Sequence, residues 1–404
     1  LLLSHGSSSD PKQRAGLAAL TADLLDDGAG TRSGFEIHEA LGRIGGTLGT
    51  NVTSDAIVVS ITALSRFVSE AISLLIDIVT RPRFESTEIE RVRQLRRHRL
   101  AQMNQVPSIV ADRVYMEAIF GDHPYGHFSI GTETSISLIT NDEVSAFHST
   151  YFGPRQWTVI AVGANSTRFG ELAEQQFSAI SSGAALKQPL ETSELVDPVV
   201  TKKRLIVVPR PGSAQSEIRL GHLGVSRNIP DFHALLVLNM ILGGQFVSRL
   251  NLNLREDKGY TYGVGTTFDY RRARGPFVLH AAVQSTATVD ALRESVSEVS
   301  AIRGERPVSA QELSAAQASL TNGFSRNFET QIQLARAAMR LSLFQLPSDY
   351  YTEFCSQVAA VDVSAVMRSA SQYLQPEKFV AVIVGSPDEF ESELGGLGFG
   401  APVE

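Results

Sequence analysis

Phe379-Val380-Ala381-Val382-Ile383-Val384-Gly385 is a run of β-favouring residues that stops at a glycine, and it has a counterpart at Trp157-Thr158-Val159-Ile160-Ala161-Val162-Gly163. Each run is followed by polar residues and a helix start, so the pair predicts two matching strands about 220 residues apart. Working back from each, the same order of elements recurs. In the first half Pro11 precedes a helical pattern from Gly16 to Leu25, Gly45-Gly46 leads into an alternating strand-like run from Asn51 to Ala63, and a helix is expected from Phe67 to Val79. In the second half Pro230 precedes the helical run Ala234 to Leu242, strands are expected at Tyr260 to Tyr270 and Pro276 to Val283, and a helix from Val289 to Ile302. Pro82 and Pro307 then each open a further helix. Strands joined by hairpin-length links and mixed with long helices predict the α+β class: two similar domains, each a mostly antiparallel sheet with helices packed on one face. The expected domains are residues 1–185 and 204–404, with a linker at 186–203 in a stretch rich in Ser, Gly, Pro and charge. Shared α+β rhythm without common descent is the other account of the repeat.

The 404 residues suffice for two or more domains that each bury a core. A hydrophobic share of 43%, a charged share of 20% and a net charge of −7 give no sign of disorder and no reason to expect nucleic acid as a partner. Arg91, Arg93, Arg96, Arg97 and Arg99 form a basic run on an expected helix, read as a solvated face without a binding role. Cys355 is alone, which rules out an intrachain disulfide and a cysteine-based zinc site. The longest apolar runs, such as Ala56 to Leu64 and Ile72 to Val79, fall short of the roughly 18 residues of a membrane-spanning helix. The chain opens on Leu1-Leu2-Leu3 without a Met or charged leader, which leaves room for a signal peptide and a first strand ahead of it.

Elimination narrows the chemistry. No Gly-x-Ser-x-Gly elbow occurs, and the near miss Gly30-Thr31-Arg32-Ser33-Gly34 displaces the serine by one position. The run Gly28-Ala29-Gly30-Thr31-Arg32-Ser33 lacks the third glycine of a dinucleotide fingerprint, and no Gly-Lys-Ser/Thr triplet exists. His123 and His127 bracket Pro124 and Gly126, so they are expected in a turn rather than as helical metal ligands. Taken alone, Gly259-Tyr260-Thr261-Tyr262-Gly263-Val264-Gly265 favours an aromatic-bearing strand with glycine bulges over a catalytic or binding strand. Its neighbours shift that balance: Asn239-Met240-Ile241-Leu242-Gly243-Gly244, then Ser248-Arg249-Leu250, then Leu254-Arg255-Glu256.

This run resembles the second-half signature of the pitrilysin, or M16, metallopeptidases, the family that includes insulinase and the mitochondrial processing peptidase. Gly16-Leu17-Ala18, Asp26-Asp27-Gly28, Asp122-His123-Pro124-Tyr125-Gly126, Phe152-Gly153-Pro154 and Ala161-Val162-Gly163 resemble further landmarks in family order. In such proteins an arginine and a tyrosine seven residues later reach the zinc site of the other half or other subunit, and Arg255 and Tyr262 hold that spacing. The departure lies in the first helix. Where catalytic members carry His-x-x-Glu-His, this chain reads Ala19-Leu20-Thr21-Ala22-Asp23, and no acidic residue lies between Glu90 and Asp112, where the third ligand is expected near Arg96 to Leu100. Two imidazoles that hold Zn²⁺ and a glutamate that takes a proton from its water have no equivalents in Ala19 and Ala22, and Asp23 offers one carboxylate to a site that needs about three protein ligands.

The resemblance therefore implies a chain that binds no metal or other cofactor and pairs with a homologous zinc-bearing catalytic subunit in a heterodimer. Zinc would sit in that partner, and Arg255 and Tyr262 would act on substrate in trans. Gly243 and Gly244 are expected mainly to cap the preceding helix and let chains approach, with substrate contact secondary. It also implies a clam-like enclosure of four domains, unfolded peptides paired to an edge strand as substrate, and the periplasm as location with the cytoplasm as the alternative. A scaffold subunit without a peptidase partner and a peptide-binding homodimer that does not cut are the rival readings.

Overall fold

The computed structural model describes residues 1–153, 156–180, 196–198 and 202–401. The chain forms two compact units that do not follow its linear halves: residues 1–102, 127–195 and 327–346 make the first, and residues 103–126, 196–326 and 347–404 the second. Most of the expected linker, 186–203, lies outside the described residues.

The first unit is built on a four-stranded antiparallel sheet in the order Thr47–Val52, Ile57–Thr62, Leu2–Leu3, Trp157–Thr158. Inward-facing Leu3, Ile57 and Val59 meet Leu17 and Leu20 of the helix Leu17–Asp23, Ile78 and Val79 of the helix Val68–Thr80, and Ile89 of the helix Ser86–Met103. The helix Leu17–Asp23 begins where it does because Asp10 accepts the free N–H groups of Gly16 and Ala18, each at 2.7 Å. Gly16 is itself left-handed, with φ 96°, and a Cβ there would lie 2.7 Å from Ile136 Cδ1. Burial pushes the Asp10 carboxyl up, and His127 Nε2 at 3.1 Å opposes that shift.

The second unit has a five-stranded sheet in the order Arg204–Pro209, Val380–Gly385, Gln215–Leu223, Pro276–Gln284, Thr261–Phe268. Arg204–Pro209 runs parallel to Val380–Gly385, and the remaining pairs are antiparallel. Ile218, Leu220, Ala381 and Ile383 face a core closed by Leu235 and Leu238 of the helix Phe232–Asn239 and by Leu292 and Val299 of the helix Thr288–Ala301. The opposite face, at Arg219 and Gly221, is covered by the helix Pro107–Phe120. Tyr115 there donates to the Phe277 carbonyl at 2.6 Å, and Asp112 pairs with Arg219 at 2.5 Å. Val380 and Val382 pair with Gly221 and Arg219 and so share that face. Burial on both faces is why residues 379–385 read as a continuous apolar run instead of an alternating one.

That helix also explains why the compact units depart from the division at 186–203. A segment of the first half completes the second unit, because the sheet there would otherwise leave a buried-type face in water. Two strands differ from their sequence reading. Among the described residues the run Trp157 to Gly163 pairs only through Trp157–Thr158, and the run Asn51 to Ala63 folds as a hairpin of Thr47–Val52 and Ile57–Thr62 turned at 53–56. In that turn Thr53 exchanges hydrogen bonds with Ala56, which supplies the reversal that periodicity does not reveal. The basic run is not simply a solvated face either: Arg96 is buried, and Arg91, Arg93, Arg96 and Arg97 each meet a carboxylate.

Candidate functional site

In the second unit the helix Phe232–Asn239 passes into a π-helical turn, Met240–Gly244, and a second such turn, Asn251–Asp257, precedes the edge strand. Wide turns of this kind recur at functional sites. Gly243 is buried against the strand, where a Cβ would lie 2.6 Å from Thr266 Oγ1 and 2.8 Å from its N. Gly244 is similarly crowded by Asn239, at 2.9 Å from its carbonyl oxygen. Both glycines thus permit close approach of chain segments.

Arg255 lies on the second π-helical turn. Its guanidinium stacks over the Phe246 ring at 4.0 Å from the centroid, and its Nε lies 3.5 Å from Glu256 Oε1. Phe246 remains 62% exposed, a large aromatic left in water beside an arginine. Such stacking gives the guanidinium a fixed plane while leaving its N–H edge free to donate.

Tyr262 lies on the edge strand and is 91% exposed. It owes that position to a β-bulge: Val264 pairs with Ala281 and Thr261 with Val283, so Tyr262 and Gly263 together oppose Ala282. The Thr261 hydroxyl fixes the bulge, lying 2.6 Å from the Ala282 carbonyl oxygen and accepting the Gly263 N–H at 3.1 Å.

Asn251 joins the two pieces. Its carboxamide accepts the Val264 N–H at 3.1 Å and donates to the Val264 carbonyl at 2.8 Å, imitating a strand partner at the free edge. The Tyr260 N–H donates to the Leu254 carbonyl at 2.9 Å, a second tie between the turn carrying Arg255 and the strand carrying Tyr262. Behind the turn lies a polar cleft of about 440 Å³ lined by Arg249, Asn253, Glu298 and Glu312, among others. Arg249 with Glu312, Lys258 with Asp257 and Arg306 with Glu298 form ion pairs within it. Arg249 holds Glu312 through two bonds of 2.6 and 2.9 Å and pulls that carboxyl down to about 2, while Asn253 donates to Glu294 and Glu298.

In the first unit, Ala19 and Ala22 are buried methyls on the helix Leu17–Asp23. Asp23, half-exposed, is held by Arg96 at 2.7 Å. A zinc ion needs about three lone-pair donors converging on one point. Two methyls and a carboxylate already engaged by a guanidinium do not fit it. Among the described residues no group of three His, Cys, Asp or Glu side chains converges to hold a metal. His123 and His127 lie in the expected turn, where His123 Nδ1 accepts the Tyr125 N–H and His127 meets Asp10. Also among the described residues, no helix is long and apolar enough to cross a membrane.

Residues 1–133 match the model of insulinase, peptidase family M16, and residues 138–320 that of the peptidase M16 inactive domain. The chain belongs to peptidase family M16. An uncharacterized zinc protease of Mycobacterium tuberculosis is 25% identical to this M16 chain over 94% of its length and 86% of the relative's. The mitochondrial-processing peptidase subunit alpha of Bos taurus is 22% identical over 95% of this chain and 77% of that subunit. A crystal structure of a peptidase M16 inactive domain from Pseudomonas fluorescens superposes with a TM-score of 0.85 at 26% identity, covering 95% of this chain and 92% of that one. By its own residues this is a non-catalytic M16 chain, since the helix that would bear the metal motif holds no zinc donors beyond an occupied carboxylate.

The sequence points to Arg255 and Tyr262 but not to the residues that hold them. Asn251, Thr261 and Phe246 carry no local signal, since a strand-mimicking amide and a bulge-fixing hydroxyl are defined by partners distant in sequence. Arg96 does leave a sign: it opens the stretch, Arg96 to Leu100, near which the third ligand is expected, and its charge is opposite to that of Asp23.

Proposed function

We propose that this chain is the non-catalytic, substrate-binding subunit of a heterodimeric zinc metallopeptidase. In this reading it presents Arg255 and Tyr262 in trans to the zinc site of a homologous catalytic subunit, which cleaves unfolded peptides. The observation that carries the reading is the display of Tyr262. A tyrosine left almost wholly in water on a bulge that Thr261 and Asn251 both stabilise has no packing role to explain it. Arg255, with one face on Phe246, has the same character. The phenol O–H and the guanidinium N–H groups donate to the substrate carbonyl oxygen, where negative charge gathers as the tetrahedral intermediate forms; donors fixed in advance stabilise that charge without reorganising. Any zinc belongs to the partner and supplies the activated water there.

Peptide would be held by main-chain pairing. In the first unit the edge strand Thr47–Val52 alternates between exposed and half-buried residues, a form open to an added strand, whereas Asn251 occupies the second unit's edge at Val264. The periplasm is the proposed location, on the resemblance to exported bacterial members, and fractionation of the source cells tests it.

The deciding experiment measures cleavage of an unstructured peptide with zinc by this chain, by a zinc-bearing homologue from the same cell, and by their mixture. Activity confined to the mixture and reduced by Arg255→Ala and by Tyr262→Phe supports catalysis in trans. A mixture indifferent to both substitutions refutes it and favours a scaffold, whereas peptide retention by this chain alone as a symmetric dimer favours a binding protein that does not cut.

A further inference from the structure

The degenerate motif of the first unit holds a cation of its own. Arg96, on the helix Ser86–Met103, reaches Asp23 on the helix Leu17–Asp23 with an Nη2 to Oδ2 distance of 2.7 Å. Its side chain is 8% exposed, Nη1 leans on the Ile130 carbonyl at 3.4 Å, and Nε is buried without a hydrogen-bond partner among the described residues. Burying a guanidinium with one N–H unmet is costly, and the carboxylate opposite it is the compensation that makes the arrangement tolerable. Asp23 and Arg96 therefore depend on each other. A guanidinium also keeps its charge at any pH a protein survives, and no chelator removes it.

We propose that Arg96 is a resident cation in the place of a metal: it neutralises Asp23, ties the two helices together, and keeps a divalent ion out of this position even where nitrogen ligands are restored. The inference is independent of the reading in trans, since it concerns one unit and requires no partner. Residues 19 and 23 stand four apart on one helix, the spacing at which two imidazoles share a metal. An ion bound between them would share its surroundings with the guanidinium that now meets residue 23, and like-charge repulsion in a partly buried site is expected to weaken binding at least about 100-fold.

The test introduces Ala19→His with Asp23→His, in one protein that keeps Arg96 and in another that carries Arg96→Met. Zinc affinity is read by competition with a chromogenic chelator, and circular dichroism checks the fold. The expected result is weak or no binding with Arg96 present and a gain of at least about 100-fold once methionine replaces it. Equal affinity in the two backgrounds overturns the proposal. Because Ala19 is buried and the histidine variants could misfold, a second measurement uses the unaltered chain. Its thermal midpoint is expected to stay fixed in excess zinc and in chelator. Arg96→Met and Asp23→Leu are each expected to lower that midpoint, and the double variant to lose less than the sum of the two. Stabilisation of the unaltered chain by zinc, or strict additivity of the two substitutions, overturns it equally.

Discussion

Replacing Asn251 by alanine removes the amide that imitates a strand at the sheet edge. Asn251 is 7% exposed, and its carboxamide makes both bonds to Val264, one to the Gln245 carbonyl at 3.2 Å and one to the Ser248 hydroxyl at 3.2 Å. Truncation leaves the Val264 N–H and carbonyl, on a residue only 5% exposed, without the partners that Asn251 supplies. At ~1–3 kcal/mol for each orphaned group, the expected loss is about 3 kcal/mol. For a unit of roughly 200 residues, that lowers the thermal midpoint by about 6–12 °C. Chemical denaturation followed by tryptophan fluorescence is unsuited, because Trp157 lies in the other unit; far-ultraviolet circular dichroism in urea reports both units. Asn251→Asp separates shape from bonding, since it keeps an acceptor for the Val264 N–H but faces the Val264 and Gln245 carbonyls with negative charge. It is expected to cost at least as much as alanine. A loss below about 0.5 kcal/mol for Asn251→Ala would mean that the edge strand holds its place without this amide and that the account of how Tyr262 is positioned is wrong.

Tyr262→Phe and Tyr262→Ala are expected to change stability by less than about 0.5 kcal/mol, because the side chain is 91% exposed, while lowering peptide cleavage in the mixed assay. Loss of stability comparable to Asn251→Ala would return Tyr262 to a packing role. Gly243→Ala drives a methyl into Thr266 and is expected to cost about 1–3 kcal/mol in a melt; a neutral result would show that the turn yields freely. Acid should weaken the second unit through His222. Its Nδ1–H donates to the Leu223 carbonyl at 2.9 Å and its Nε2 accepts the Gln375 N–H at 3.1 Å, an arrangement only the neutral ring can make, and burial lowers its pKa from 6.5 to about 4. The folded value lies below the unfolded one, so the stabilisation is present above pH 6.5 and fades as pH falls towards 4. It amounts to about 3 kcal/mol over that window, and His222→Gln should flatten that part of the stability curve. An unchanged slope in the variant would assign the acid sensitivity elsewhere.

Much of the fold could be read from local pattern. Val380–Gly385 and Pro276–Gln284 lie almost where their β-rich runs placed them, and the helices Val68–Thr80 and Thr288–Ala301 fall within a residue of expectation. The glycines of 259–265 announce a bulged strand, but neither the second π-helical turn nor the placing of the bulge at Tyr262 and Gly263 is legible, because each depends on which backbone groups meet across the sheet rather than on residue type. The exchange of Pro107–Phe120 into the second unit was equally hidden. Its apolar residues give the length of a helix, but the surface they cover is decided by Gly221, whose missing side chain leaves room for Tyr115.

That exchange has a consequence for how the protein can be made. The helix Pro107–Phe120 leaves the ribosome about 100 residues before Gln215–Leu223 and roughly 260 before Val380–Gly385, so at 5–20 residues per second its sheet is complete only after some tens of seconds. Through that interval Tyr115, Ile119 and Phe120 belong to no finished core and are open to chaperones or to another nascent chain. Cutting the gene between the halves gives a front fragment with an orphan helix and a rear fragment with a bare sheet. The two pieces are expected to stay soluble only when produced together.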